Sequence, residues 1–297
     1  MRLISLIITD FGSNAKYPLA AVCLACWLML AGCQAFTTTP EPNLVQVIIP
    51  APKVAVGQPR LPLILYDGAN VVSNAQAMKL ELMGLKNGIE SPTPESWQGT
   101  ATAYMDAPTP YWVAYPALPQ AGLWGLRATI TLADGRLTTA DFVVEATDTP
   151  EGIAIGQPAA STRQQVFADQ SDLRKLTSDP EPDPALYQMT IAEALQTGKP
   201  TVLTFATPAF CQTRFCAPVI QVVKTARQRY TDTANFIHIE VWADFATQRL
   251  NPALAEWHLS SEPWTYVLDR KGYVVAALAG PISLAELQSW LDTSLQP

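Results

Sequence analysis

The sequence predicts two folded regions of different class, an N-terminal all-β sandwich and a C-terminal α/β domain. Three observations predict it. Between residues 44 and 146, short apolar runs alternate in period two and are cut by turn residues, the mark of half-buried antiparallel strands. Between 147 and 185 the period fails and proline recurs, as in Asp179-Pro-Glu-Pro-Asp-Pro184, which excludes helix and central strand and marks a Pro-rich linker. From 186 to 297, apolar stretches of strand length alternate with stretches of helical spacing, and two cysteines fall between the first such strand and its helix.

Trp124 to Leu132 is the clearest strand of the first region. Trp124, Leu126, Ala128, Ile130 and Leu132 share one face; Arg127, Thr129 and Thr131 share the other. Asp134-Gly135 then turns the chain into Leu137 to Val144 as a hairpin. Leu61 to Tyr66, closed by Asp67-Gly68, and Met78 to Met83 read as further strands. About seven short strands in roughly 100 residues predict a sandwich of immunoglobulin-like type. This region holds no histidine and no cysteine. It offers no chemistry, so its predicted role is that of a spacer or docking module. Its aromatics, among them Tyr104, Tyr111 and Tyr115, read as packing residues.

The 297 residues carry a net charge of −7, which argues against a nucleic-acid partner, since that requires a basic surface. Residues 1–16 carry Arg2 and Lys16, and Tyr17 to Gly32 is almost purely apolar. That run has the length of a signal-peptide core and is short for a membrane span of about 20 residues. Leu30-Ala31-Gly32-Cys33 resembles the bacterial lipobox, in which the cysteine becomes the lipidated first residue of the mature protein. The resemblance implies a lipoprotein signal peptide over 1–33, lipidation at Cys33 and a polar tether over 34–43. It places the rest of the chain on the extracytoplasmic face of the cell membrane, held by the lipid anchor. That compartment permits disulfides.

In the second region, Ile191 to Gln196 reads as a short helix with Thr190 as N-cap and Gly198 as its stop. Thr201 to Ala206 reads as a buried strand, followed by Cys211-Gln-Thr-Arg-Phe-Cys216 and a helix whose first position is Pro218. Asn235 to Trp242 is a second strand and Pro252 to Trp257 a helix. Trp264 to Leu278 is a hairpin turned at Asp269-Arg-Lys-Gly272. Ser283 with Glu286 predicts a capping box for the last helix.

This order, with cysteines after the first central strand and Ser261-Glu262-Pro263 just before the hairpin, resembles the thioredoxin fold over residues 186–297. The resemblance implies a redox-active pair, Cys211 attacking and Cys216 resolving, with protein thiols or disulfides as partners. It also implies a cis Pro263 packed against the pair. Glu262 would then face the cysteines, where a carboxylate exchanges protons with a thiol or raises its pKa. A solvent-facing loop glutamate is the other reading.

The spacing departs from the family, which has C-x-x-C. Residues five apart in a helix point about 140° apart and lie about 7.5 Å apart along the axis. A disulfide needs Cα atoms within about 7 Å, so a bridge requires Cys211 to lie in the loop and residues 212–215 to form an extra bend. Cys216 then sits at the helix entrance, where the macrodipole and Arg214 favour a thiolate. A plain structural disulfide is the bland alternative, although a loop this short gains little entropic stabilisation.

Two further function classes stay open. Sco-type copper chaperones share the thioredoxin fold and use two cysteines with a distant histidine. The similarity implies copper held by Cys211, Cys216 and His258, with thiolates suited to Cu(I). His238, the other histidine, shares a strand face with Phe236, Glu240 and Trp242 and reads as structural. The third class is a non-catalytic thioredoxin-like adaptor.

Overall fold

The computed structural model describes residues 45–51, 53–86, 89–92, 97–170, 172–211 and 213–296. The expected signal peptide, Cys33 and the tether lie outside these residues. The fold is mostly β, in two regions with few helices. Among the described residues no helix is long and apolar enough to cross a membrane.

Period-two alternation makes the first region two stacked sheets. One runs β1 (Val45–Ile48), β3 (Leu61–Asp67), β9 (Tyr111–Ala114) and β8 (Thr102–Tyr104), with β4 (Asn70–Val71) paired to β3. The other runs β2 (Lys53–Ala55), β11 (Leu137–Thr147), β10 (Gly122–Thr131), β5 (Ala77–Lys86) and β6 (Ile89–Pro92), with β7 (Gln98–Thr100) on β5. The predicted hairpin forms in register, Trp124 opposite Val144 and Ala128 opposite Ala140. Leu126, Ala128 and Ile130 face a core shared with Leu61, Leu63, Leu65 and Leu80. Among the described residues eleven strands form, against the roughly seven expected. Four of the extra pieces, β2, β4, β7 and β8, have only two or three residues, too few to display a period.

One sheet of this sandwich is covered on both faces. Leu61 to Leu65 and Tyr111 to Ala114 are buried at every position. Leu61, Leu63 and Leu65 point into the sandwich, whereas Ile64, Tyr111 and Val113 pack outward with Phe215 of the second region.

The second region holds a four-stranded sheet in the order β13 (Asn235–Glu240), β12 (Thr201–Ala206), β16 (Trp264–Leu268), β17 (Val274–Ala279). β12 and β13 are parallel; β16 and β17 run antiparallel as the predicted hairpin. Helices α2 (Cys216–Tyr230) and α4 (Leu284–Leu295) pack on one face, through Val219, Val223, Leu287 and Leu291. Helices α1 (Ile191–Ala194) and α3 (Pro252–Glu256) pack on the other, with Ile191, Leu254 and Trp257 against Phe205 and Ile239. Helices on both faces bury β12 and β13 completely, which is why they read as continuous apolar runs. The expected strand to Trp242 breaks after Glu240. A separate ribbon follows, β14 (Trp242–Asp244) with β15 (Arg249–Leu250).

Thr190 caps α1 as predicted, in a box with Glu193. The box predicted for α4 is only half made. Ser283 Oγ accepts the Glu286 N–H at 3.0 Å, but the Glu286 carboxylate is taken by Arg60 and Tyr111 of the sandwich. A buried guanidinium competes better for a carboxylate than one backbone N–H does.

The segment between the regions is irregular, as its prolines dictate, with three short 3-10 turns. It is also packed. Gly156 N–H donates to Val274 O at 2.8 Å, Val274 N–H to Gln157 O at 2.9 Å, and Ala159 N–H to Gly272 O at 2.9 Å. Gly152 is required where it sits, because its φ is +83° and a Cβ there would overlap the Tyr266 hydroxyl. Residues Leu44–Pro297 form a single compact unit.

Candidate redox site

β12 ends at Ala206, and a turn at Thr207 to Phe210 carries the chain to Cys211. Helix α2 begins at Cys216, two residues before Pro218, which therefore occupies the third helical position. Proline is tolerated there because N–H groups of the first turn have no helical acceptor. Arg214 adopts φ +65°, an uncommon backbone for a non-glycine residue, and this supplies the extra bend that the spacing demands. Cys211 thus returns to Cys216, and the two form a disulfide with Cα atoms 5.9 Å apart.

The two sulfurs are not equivalent. Cys216 is fully buried, against Ala206 and Ile220. Cys211 is half-buried; its Sγ accepts the Cys216 N–H at 3.3 Å and lies 3.3 Å from Thr213 Oγ1. The half-buried sulfur, not the fully buried one, therefore receives the N–H at the start of α2. Arg214 between the cysteines is exposed.

The peptide bond between Glu262 and Pro263 is cis. A carboxylate oxygen of Glu262 and the two cysteine sulfurs all lie within 4.8 Å of one another. The segment before this bond is held by Glu151, whose Oε1 accepts the N–H groups of Ser260 and Ser261 and whose Oε2 accepts the Ser261 hydroxyl at 2.9 Å. The inter-region segment thus organises one wall of the site.

A buried polar cluster lies behind the loop. Glu240 is buried, and Ser178 donates to its Oε2 through N–H and Oγ at 2.8 and 2.7 Å. Ser178 Oγ in turn accepts the Ala209 N–H at 3.2 Å, tying the cluster to the turn before Cys211. His238 Nε2 lies 3.1 Å from Ala206 O, and Nδ1 lies 2.7 Å from Tyr187 Oη. A carbonyl only accepts, so Nε2 carries the hydrogen and Nδ1 accepts from the tyrosine. Burial holds the His238 pKa below its ordinary 6.5, opposed by Glu240.

The structure thus brings together Cys211, Cys216 and Glu262. It does not bring His258 to them. His258 is exposed, at φ +55°, beside an open hollow lined by Gly152, Ile153 and Glu256. Among the described residues the gathered metal-competent donors are two sulfurs and one carboxylate, and in this state the sulfurs are bonded to each other. Thr213, Phe215, Ser178, Glu240 and Glu151 were not legible as site residues. Only Phe215, a large apolar residue inside a polar loop, left a sequence signal.

No family model and no curated protein matches the chain. Solved structures give distant likenesses. One is a thiol:disulfide interchange protein of the thioredoxin family from Chlorobium tepidum TLS, 18% identical, covering 36% of this chain and 86% of that one at a TM-score of 0.31. Another is the PmoD soluble domain from Methylocystis sp. ATCC 49242 (Rockwell), 15% identical, covering 32% and 78% at 0.24. A third is a CARDB domain in complex with di-metal ions from Pyrococcus furiosus, 14% identical, covering 35% and 90% at 0.18.

Proposed function

We propose that the C-terminal region is a thioredoxin-like domain and that the chain is a thiol–disulfide oxidoreductase held outside the cytoplasmic membrane. One observation carries the reading. The disulfide joins an accessible sulfur, at the N-terminus of a helix, to a buried one. Such asymmetry suits exchange, because one sulfur is attacked and the other leaves. A partner thiolate attacks Cys211 Sγ, a mixed disulfide forms, and the Cys211–Cys216 bond breaks with Cys216 leaving as thiolate. A second partner thiolate then attacks the partner sulfur of the mixed disulfide and releases Cys211. The partner loses two electrons and the pair gains them; the reverse sequence reduces a partner disulfide. Glu262, with a carboxylate oxygen within 4.8 Å of both sulfurs, is in this reading the group that exchanges a proton, through one water, with the thiol that forms. Its neighbour Pro263 is joined to it by the cis peptide bond.

On the lipobox resemblance, Cys33 carries the anchor, residues 34–43 hold the folded unit off the bilayer, and the immunoglobulin-like sandwich presents it to partner proteins. Cys33→Ser is expected to move the protein from the membrane to the soluble fraction. The redox reading is tested by equilibrating the chain with thiol buffers and counting free thiols by mass spectrometry. A potential far below about −300 mV, in the range of inert structural disulfides, overturns it.

The closeness of the two sulfurs supports a second reading, a copper-binding delivery protein whose reduced Cys211 and Cys216 thiolates hold Cu(I), with the harder Glu262 carboxylate nearby rather than as a favoured ligand. His258 has no part in that donor set. Cu(I) titration of the reduced chain tests it: unchanged affinity in Cys211→Ser excludes the site.

A further inference from the structure

Thr213 lies between the two cysteines and faces two ways. Its hydroxyl is 3.3 Å from Cys211 Sγ, and the residue also lines an open cleft of about 440 Å³. The opposite wall belongs to the sandwich: Ile48, Ile49, Pro50 and Tyr66, with Phe215 beside Thr213. Ile48 is 44% exposed, and among the described residues that line the cleft none is charged, Gln46 being its one amide. Its volume is that of a ligand pocket rather than a packing gap. Thr213 is thus common to the neighbourhood of the Cys211 sulfur and to the cleft, which puts the cleft one residue away from any sulfur that bonds to Cys211.

We propose that the sandwich forms part of the substrate-binding site, and that its cleft takes a large apolar side chain next to the reactive cysteine of a polypeptide partner. The proposal rests on the oxidoreductase reading and names its substrate class. The occupant is a polypeptide because the cleft adjoins the accessible sulfur and extends beyond it onto another region, farther than a small thiol reaches. It is apolar because Ile48, Ile49, Pro50, Ala69 and Phe215 make up most of the lining, and no ionic partner for a charged side chain is among the residues that line it. The sandwich is then a specificity element, not a spacer.

The test uses the oxidised full chain and two monothiol peptides that differ only beside the cysteine, one with leucine and one with serine. The rate of reduction of the Cys211–Cys216 disulfide is followed for each by acid quench and mass spectrometry. Wild type is expected to prefer the leucine peptide by about tenfold, the discrimination of one hydrophobic pocket. Ile48→Asp, which charges the wall, and Ala69→Trp, which fills the cleft from an exposed position, are each expected to bring the ratio near one. A wild-type ratio near one, with both peptides reacting, overturns the cleft and leaves the oxidoreductase reading intact. A preference that survives both substitutions overturns it equally. Reaction with neither peptide overturns the oxidoreductase reading, and the proposal falls with it.

Discussion

Arg60 of the sandwich and Glu286 of helix α4 form a bidentate ion pair, 226 residues apart, with Nε–Oε1 at 2.7 Å and Nη2–Oε2 at 2.8 Å. Their side chains are 6% and 2% exposed. Arg60 also donates to Ala279 O and Pro281 O at 2.8 Å each, and the Tyr111 hydroxyl donates to Glu286 while accepting the Ser283 N–H. Burial works against the guanidinium charge, but Glu286 outweighs it and raises the Arg60 pKa; burial and Glu286 together push Tyr111 well above its ordinary range. Charges this deep are tolerated only as a fully bonded set. The pair therefore locks the two regions in one arrangement.

Breaking the pair from one side should be costly. Glu286→Gln leaves Arg60 buried without its counter-charge, and a loss of about 3–5 kcal/mol is expected in urea unfolding. The double variant Arg60→Met, Glu286→Leu should be less destabilised than the two single losses summed. It should not regain wild-type stability, because the Ala279 and Pro281 carbonyls lose their donor. Additive losses in that cycle would show that the pair does not couple the regions.

Phe215 should behave as a joint between the cysteine loop and the sandwich. It is buried with Ile64, Ala107, Tyr111 and Val113, and the next residue is Cys216. Phe215→Ala is expected to cost about 3 kcal/mol by leaving a cavity. It should also speed reduction of the disulfide, since it loosens the loop that holds the cysteines together. Phe215→Leu should restore most of both. An unchanged reduction rate in Phe215→Ala would confine the residue to packing.

Much of this was legible in the sequence, and the failures have physical reasons. The β10–β11 hairpin showed because each strand has one wet face, so its period is unambiguous. Leu61 to Leu65 read only as a strand; that it is buried at every position, because its outward side chains meet the second region, is a tertiary fact that the run alone does not announce. The cysteine loop and its bend followed from the reach of a disulfide. The partner of Glu286 could not be read, because nothing local to Ser283-x-x-Glu286 announces an arginine 226 residues away. The same holds for Glu151 and Ser178, polar residues in aperiodic segments whose bonds are all tertiary. Residues 147–185 read as a linker by composition, which reports the absence of regular structure but not the absence of packing.

His238 should make stability depend on pH in a definite direction. Burial keeps its folded-state pKa below 6.5, whereas the unfolded imidazole titrates near 6.5. As pH falls through about 6.5 the unfolded chain takes up a proton that the native chain refuses. The contribution is thus complete above that value and lost below it, with a slope of at most about 1.4 kcal/mol per pH unit. Tyr187, Glu240 and Asp179 surround the ring and Lys224 adds a positive charge, so the site stays neutral by desolvation against a partly acidic background. Urea unfolding between pH 7.5 and about 5.5 should show the slope, and His238→Gln should flatten it while lowering stability throughout. An equal slope in the variant would assign the dependence to other groups.

The two cysteines should differ in reactivity once the disulfide is opened. Cys211 is half-buried, accepts the Cys216 N–H at the helix start and has the Thr213 hydroxyl alongside, so its thiolate is both accessible and stabilised. Cys216 is fully buried between Ala206 and Ile220, where a thiolate has neither water nor room for an attacking reagent. In the folded chain, Cys216→Ser should leave a Cys211 that reacts with maleimide at neutral pH. Cys211→Ser should leave a Cys216 that reacts at least about tenfold more slowly until urea unfolds it. Cys216→Ser, offered a symmetric peptide disulfide, should also accumulate a mixed disulfide: the Cys211 thiolate attacks one sulfur, the other peptide leaves as thiolate, and no neighbouring cysteine is present to displace the peptide that stays. Thr213→Val tests the local stabilisation: losing the hydroxyl should raise the pH at which Cys211 becomes reactive while leaving Cys216 silent. Equal labelling of both single-cysteine variants would mean that the asymmetry in the folded state does not govern the chemistry of the pair.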